Sequence, residues 1–340
     1  MSARAIAAAL ALLAAWPAQA YKRSCATNDK LTVCFYWPDP SAVTWKVNPV
    51  RGGSSPSCDA AAGADPAVQA AQAAFAAWEG ATRAGEGAPC AHLSLPFGGT
   101  TSTAIAQTGM GTSAEHLVVF RKGWCSDVAA AHADPCWATA SCNNTFDCFD
   151  DEGPGGGQGG LGKSVLAITT VIYNPNSGAI QDADLEVADW SGAGAGTSIV
   201  GASDGWYFTC GSDSTLGQTC ATYGQASCGY EDLQNTLTHE AGHFIGLAHP
   251  CDGKACPGTS SPDVTMYPTA PPKEIQKRTL APDDVEGVCA IYTAAGPVQE
   301  ISGKKSGGGC GAGGDGGLGA LLLAGAALLQ RVLLHRSSRA

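Results

Sequence analysis

Charge is what this chain has least of. Only 14% of its 340 residues are Asp, Glu, Lys or Arg, and the acidic ones lead 30 to 19, for a formal net charge of −11. Phosphate binding needs clustered Lys and Arg, so nucleic acid is not expected as a partner. The hydrophobic share of 44% is too high for a chain that stays unfolded. No internal repeat occurs, and the 45 glycines sit in a few tracts without a collagen-like period. Paired CxxC units are missing despite 15 Cys, which weakens a zinc-thiolate reading. Met and His are scarce, at 3 and 7 residues, so where they fall carries information.

What is present points first to export. Residues 1–20 read as a secretory signal, with Arg4, an apolar run and the small-x-small end Ala18-Gln19-Ala20. Cysteine usage agrees. Setting aside Cys310, which stands alone in a glycine tract, the rest form an even set, as a disulfide framework in an oxidising compartment requires. Spacing does not fix connectivity; Cys25 with Cys34 and Cys251 with Cys256 are the nearest local pairs. The expected location is the cell surface or the extracellular space.

The folded part is expected over 21–296. Strands are predicted at 42–47, 116–120, 165–173 and 179–187, the last two joined by the turn-forming run Asn174-Pro175-Asn176-Ser177-Gly178. Asp65 and Pro66 open an Ala-rich helix through Trp78, with Val68, Ala71, Phe75 and Trp78 on one face. Residues 121–163 and 191–229 read as Cys-bearing insertions pinned by disulfides. Asp147, Asp150, Asp151 and Glu152 in the first offer oxygens of the kind calcium takes, although a solvated acidic loop is the weightier reading. Residues 297–317 read as a Gly-rich linker. Residues 318–340 follow as an apolar run with a basic end, marginal against the roughly 20 residues a spanning helix needs. Membrane contact is expected only through this tail, and the chain is expected to be a monomer.

One stretch carries chemistry: His239-Glu240-Ala241-Gly242-His243-Phe244-Ile245-Gly246-Leu247-Ala248-His249. Residues 233–245 read as a helix, so His239 and His243, four apart, leave one face a turn apart and suit one metal. Gly246 is where that helix should end, since glycine takes the left-handed conformation freely. The chain can then return His249 as a third ligand. Three protein ligands leave a fourth tetrahedral position open, the mark of a catalytic zinc. Glu240, beside the first ligand, is placed to reach a water there as general base. The five fixed positions arise by chance in about one chain of this length in ten thousand.

This motif resembles the metzincin signature of zinc endopeptidases, and the downstream residues are most similar to the matrixin branch. Met266, in Val264-Thr265-Met266-Tyr267-Pro268, resembles the Met-turn beneath the metal. The run from Leu280 to Tyr292 is similar to the closing helix of matrixin domains, and 166–170 with 178–180 and 182–186 look like the substrate-edge strand and its neighbour. The resemblance is dense over 164–292 and thin over 42–120. It implies an α+β fold with a twisted mixed sheet, an active-site helix and a smaller C-terminal subdomain after the third His. It also implies one catalytic Zn²⁺ on His239, His243 and His249, Glu240 as catalytic residue, and a protein or peptide substrate paired along 165–170. Pro250 and the long span from His249 to Met266 depart from the vertebrate pattern. His116 and His132 lie outside the frame of the matrixin structural zinc, and the cysteine-switch motif is absent. The tail resembles the MYXO-CTERM sorting segments of Gram-negative surface proteins. The competing reading is a surface-binding module on the same fold that no longer cleaves.

Overall fold

A computed structural model describes residues 21–52, 57–58, 65–105, 115–139, 142–149, 165–189, 206, 208–210, 231–251, 264–271, 274–303 and 328–336. The expected signal segment and residues 318–327 of the expected tail helix lie outside the described residues. Among the described residues the main sheet has seven strands: β1 (Trp45–Val47), β2 (Phe97–Thr100), β3 (His116–Phe120), β4 (Val165–Tyr173), β5 (Ile180–Val187), β6 (Thr269–Ala270) and β7 (Leu328–Arg336). Their order in space is β6-β7-β4-β5-β3-β1-β2. β1, β2, β3 and β5 pair in parallel, β4 runs antiparallel to both β5 and β7, and β6 is parallel to β7. Such a mixed sheet with few helices fits the α+β class.

β4 is rich in β-branched and aromatic residues and is buried along its whole length. The turn into β5 depends on Gly178, whose φ is 79°; a Cβ there would meet the Cys34 carbonyl oxygen at 2.2 Å. Among the described residues three long helices accompany the sheet: α1 (Pro66–Glu79), α2 (Leu233–Phe244) and α3 (Pro282–Ile291). The Asp65 side chain caps α1 through the amides of Ala67 and Val68, each at 3.1 Å. The α1 face foreseen from its spacing is the buried one. Phe75 stacks on Trp45 of β1 with ring centroids 3.9 Å apart and meets Phe244 of α2 edge-on at 5.2 Å. Trp78 donates to the Thr238 carbonyl of α2 at 2.8 Å. This aromatic column, buried from water, ties sheet and helices together.

Disulfides fasten the periphery. Cys25–Cys34, one of the two nearest local pairs, forms, and Cys58–Cys210, Cys90–Cys289, Cys125–Cys148 and Cys136–Cys142 join it. Cys251 is disulfide-bonded, while Cys256, its expected partner, lies outside the described residues. The first insertion has its own small core of Cys125, Ala131, Cys136, Cys142 and Cys148. Asp147 in it is paired with Lys122 at 2.9 Å and Arg121 at 3.6 Å. A carboxylate so engaged is a poor calcium ligand; the other members of the acidic cluster lie outside the described residues.

Two expectations are corrected at the C-terminus. Residues 328–336, read as part of an apolar tail helix, form a strand that pairs along β4 from Leu328↔Tyr173 to His335↔Val165. No helix among the described residues is long and apolar enough to cross a membrane. The outer edge of β4, foreseen as open for an extended substrate, is therefore covered. The physical reason is that an exposed strand edge leaves a row of N–H and C=O groups unsatisfied. A short apolar segment with strand-compatible residues satisfies them.

Candidate metal centre

α2 begins at Asp232, whose carboxylate accepts from the Asn235 amide at 2.8 Å and also holds Arg278 Nε at 2.8 Å. Leu237, Phe244 and Ile245 anchor its apolar side in the core with no exposure. The helix ends where foreseen. Gly246 has φ 95°, and a Cβ there would lie 2.5 Å from the Phe35 carbonyl oxygen. A larger residue would lose both the turn and this close approach. The reversal brings Leu247 and Ala248 onto Lys22 and Arg23 as a short antiparallel pair and sets His249 over the helix.

His239, His243 and His249 converge as the sequence indicates. Their Nε2 atoms lie 3.0 Å (His239–His249), 3.1 Å (His239–His243) and 3.1 Å (His243–His249) apart. The Nδ1 of His239 faces the Thr265 carbonyl at 2.7 Å, and that of His243 faces the Leu247 carbonyl at 2.7 Å. Carbonyls only accept, so both Nδ1 atoms carry the proton and both Nε2 atoms present lone pairs. Burial, then the neighbouring His243, His249 and Lys277, holds His239 well below the usual imidazole range. Burial pushes His243 down to about 4. Neutral imidazoles with lone pairs aimed at one another are stable together only around a cation. The separations are near the edge of about 3.3 Å that a tetrahedral site with bonds of roughly 2.0–2.1 Å would have. The donor set therefore fits a zinc-sized metal.

Among the described residues this is the group of His, Cys, Asp and Glu side chains able to hold a metal, and Glu240 is not one of its members. Glu240 is fully buried beside it. Thr169 of β4 places its hydroxyl 2.7 Å from Glu240 Oε2 and 3.0 Å from the Glu240 carbonyl oxygen.

The floor of the site is built by residues that sequence reasoning named only through resemblance, or missed. Met266 packs under α2 at Gly242, where an added Cβ would meet Met266 Sδ at 2.2 Å and Trp78 at 2.7 Å. Its turn is pinned by Asp284 of α3, whose carboxylate accepts from the amides of Thr265 at 2.7 Å and Met266 at 3.2 Å. Burial, reinforced by Asp283, raises Asp284 to about 6, while these amides pull it back. Tyr292 donates to the Ile245 carbonyl at 2.9 Å and so holds the end of α2. Lys277 is buried, with its Nζ on the Thr269 carbonyl at 2.7 Å and on Glu274 at 2.8 Å. A lone Lys in a polar run carries no signal of burial. Thr169 likewise reads as an ordinary strand former. Of the other histidines, His116 lies 2.8 Å from Asp182 and His132 2.8 Å from the Ser126 carbonyl. Neither joins the metal group.

No family model matches the chain. Metalloendoproteinase 1 of Glycine max is 38% identical to it over 61 residues, which cover 18% of this chain and 17% of that protein. The chain thus spans well under a fifth of the length of that relative. The short similarity and the three-histidine group point in the same direction, toward a metal-dependent peptidase.

Proposed function

We propose that this chain is an exported zinc-dependent endopeptidase of metzincin type, closest in plan to the matrixin branch. The observation that carries the reading is the convergence of three Nε2 atoms, two of them fixed as metal-facing tautomers by backbone carbonyls, beside a buried glutamate. His239, His243 and His249 would hold the ion. When bound, zinc supplies a Lewis acid and lowers the pKa of a coordinated water toward ~7. Glu240 takes the proton of the attacking water and passes it to the leaving amine. Met266 and Asp284 keep Thr265 under His239, which orients the ligand.

The track of the substrate is supported by the strand that now lies there. β7 runs antiparallel to β4 and parallel to β6, clamped between two strands by main-chain bonds. An extended peptide laid in the same channel has the same backbone partners available, the mode known as strand addition. Substrate and residues 328–336 therefore compete for one edge. The matrixin-like frame and the export belong to the same proposal.

The test is casein cleavage by the purified full chain, with zinc content measured alongside. Cleavage is expected to stop with a chelator and return with zinc. Glu240→Ala is expected to keep stoichiometric zinc and lose about 10²–10⁴-fold in rate. Full activity in that variant sinks the general-base assignment, and zinc without cleavage in the wild type selects the binding-module reading. A chain ending at residue 303 is expected to show a lower KM than the full chain. An equal KM in the two would mean that β7 does not contest the substrate channel.

A further inference from the structure

Strand alternation gives the two neighbouring threonines of β4 opposite faces. Thr169 turns toward α2 and is fully buried there. Its hydroxyl proton has two acceptors within reach, both on Glu240: Oε2 at 2.7 Å and the main-chain carbonyl at 3.0 Å. The carboxylate is the nearer and, when ionised, the stronger acceptor. Thr169 stands in the middle of the sheet, its register set by Leu185 of β5. A sheet-borne hydroxyl is thus fixed on the one side chain of α2 that the proposed reaction asks to move a proton.

We infer that Thr169 is a positioning residue for Glu240, donating to Oε2 and so fixing the orientation of the carboxyl group. This rests on the reading of Glu240 as general base. A threonine hydroxyl has a single proton, and its nearest acceptor here is Oε2 of Glu240. The arrangement serves both halves of the reaction. With Glu240 ionised, Oε2 accepts a charge-assisted bond; with Oε1 protonated, Oε2 becomes the carbonyl-like oxygen and still accepts. The carboxyl group keeps one orientation while the proton comes and goes, so no rotation is needed between accepting it and delivering it. Thr169 touches neither metal nor substrate in this scheme and acts only through Glu240.

The substitution Thr169→Val removes the hydroxyl and keeps the shape; Thr169→Ser keeps the hydroxyl. For casein or a peptide substrate, Thr169→Val is expected to lower kcat about 10- to 100-fold, the worth of a hydrogen bond to a charged group, with KM and zinc content unchanged. Thr169→Ser is expected to restore most of it, which a purely structural role for the side chain does not predict. A second readout needs no metal. In metal-free protein labelled with ¹³C at the glutamate carboxyls, the Glu240 resonance, assigned by its loss in Glu240→Gln, should shift in Thr169→Val and return in Thr169→Ser. An unchanged resonance in Thr169→Val, or an unchanged kcat, overturns the inference. A wild type that shows no chelator-sensitive cleavage overturns the underlying peptidase reading instead, and the carboxyl shift then still tells whether the bond exists.

Discussion

α1 and α2 lie against each other, yet the residues that hold them in place are of opposite kinds. The buried side chains of α1 are Ala67, Val68, Ala70, Ala71, Ala74, Phe75 and Trp78, all apolar. α2 buries nearly every residue it has, including Asn235, Thr236, Thr238, His239, Glu240 and His243. Apolar burial is non-directional and holds α1 mainly through area, with the Trp78 bond to the Thr238 carbonyl added to it. Polar burial is costly unless each group finds a partner in good geometry. The partners of α2 come from around it: Asp232 at its start, Lys277 on Asn235, Thr265 and Leu247 on two histidines, Thr169 on Glu240, and Tyr292 at its end. One helix is a support, and the other is a polar site made rigid by its surroundings.

Substitutions in each helix should therefore fail differently. The largest stability effect is expected on the apolar side. Phe75→Ala removes the ring between Trp45 and Phe244 and should cost about 3–5 kcal/mol in urea unfolding with disulfides intact. Zinc affinity of its folded fraction should change little; a comparable loss of affinity would show that the support and the site are one unit. A smaller stability effect with a larger effect on the metal is expected from Gly242→Ala. Its new Cβ collides with Met266 Sδ, and overpacking of this kind costs roughly 1–3 kcal/mol, partly offset by the better helix propensity of Ala. Displacing the Met266 turn also moves the Thr265 carbonyl off His239, so zinc affinity measured with a competing chelator should fall about 10- to 100-fold. Unchanged affinity in that variant would mean that the turn is not what orients the ligand.

Much of the site is legible in the chain. His239 and His243 share a face because a helix has 3.6 residues per turn, and Gly246 sits where only glycine fits, so the third ligand follows from local geometry. The strands 116–120 and 165–173 keep their expected bounds, because sustained β-branched and apolar runs report on burial directly. The strand expected over 42–47 keeps only Trp45–Val47, where partners on both sides exist. The support of the site was not legible. Thr169, Lys277 and Asp284 act across gaps of 71, 8 and 18 residues, and nothing local distinguishes them from ordinary strand, loop and helix-start residues. The C-terminal strand departs from the expectation for a related reason. A short apolar run is compatible with helix or strand, and the open edge of β4 decided between them.

By itself, the sequence determined the things that depend on neighbours in the chain. These are the three-histidine motif with its glutamate, the glycine that ends the helix, the capped start of α1 and the turn from β4 into β5. Only the tertiary structure decided which carbonyls set the imidazole tautomers, which hydroxyl meets Glu240 and what lies along the edge of β4. The reason is physical. Spacing governs direction within one element, whereas a buried polar group takes whichever partner the packing of other elements brings within about 3 Å.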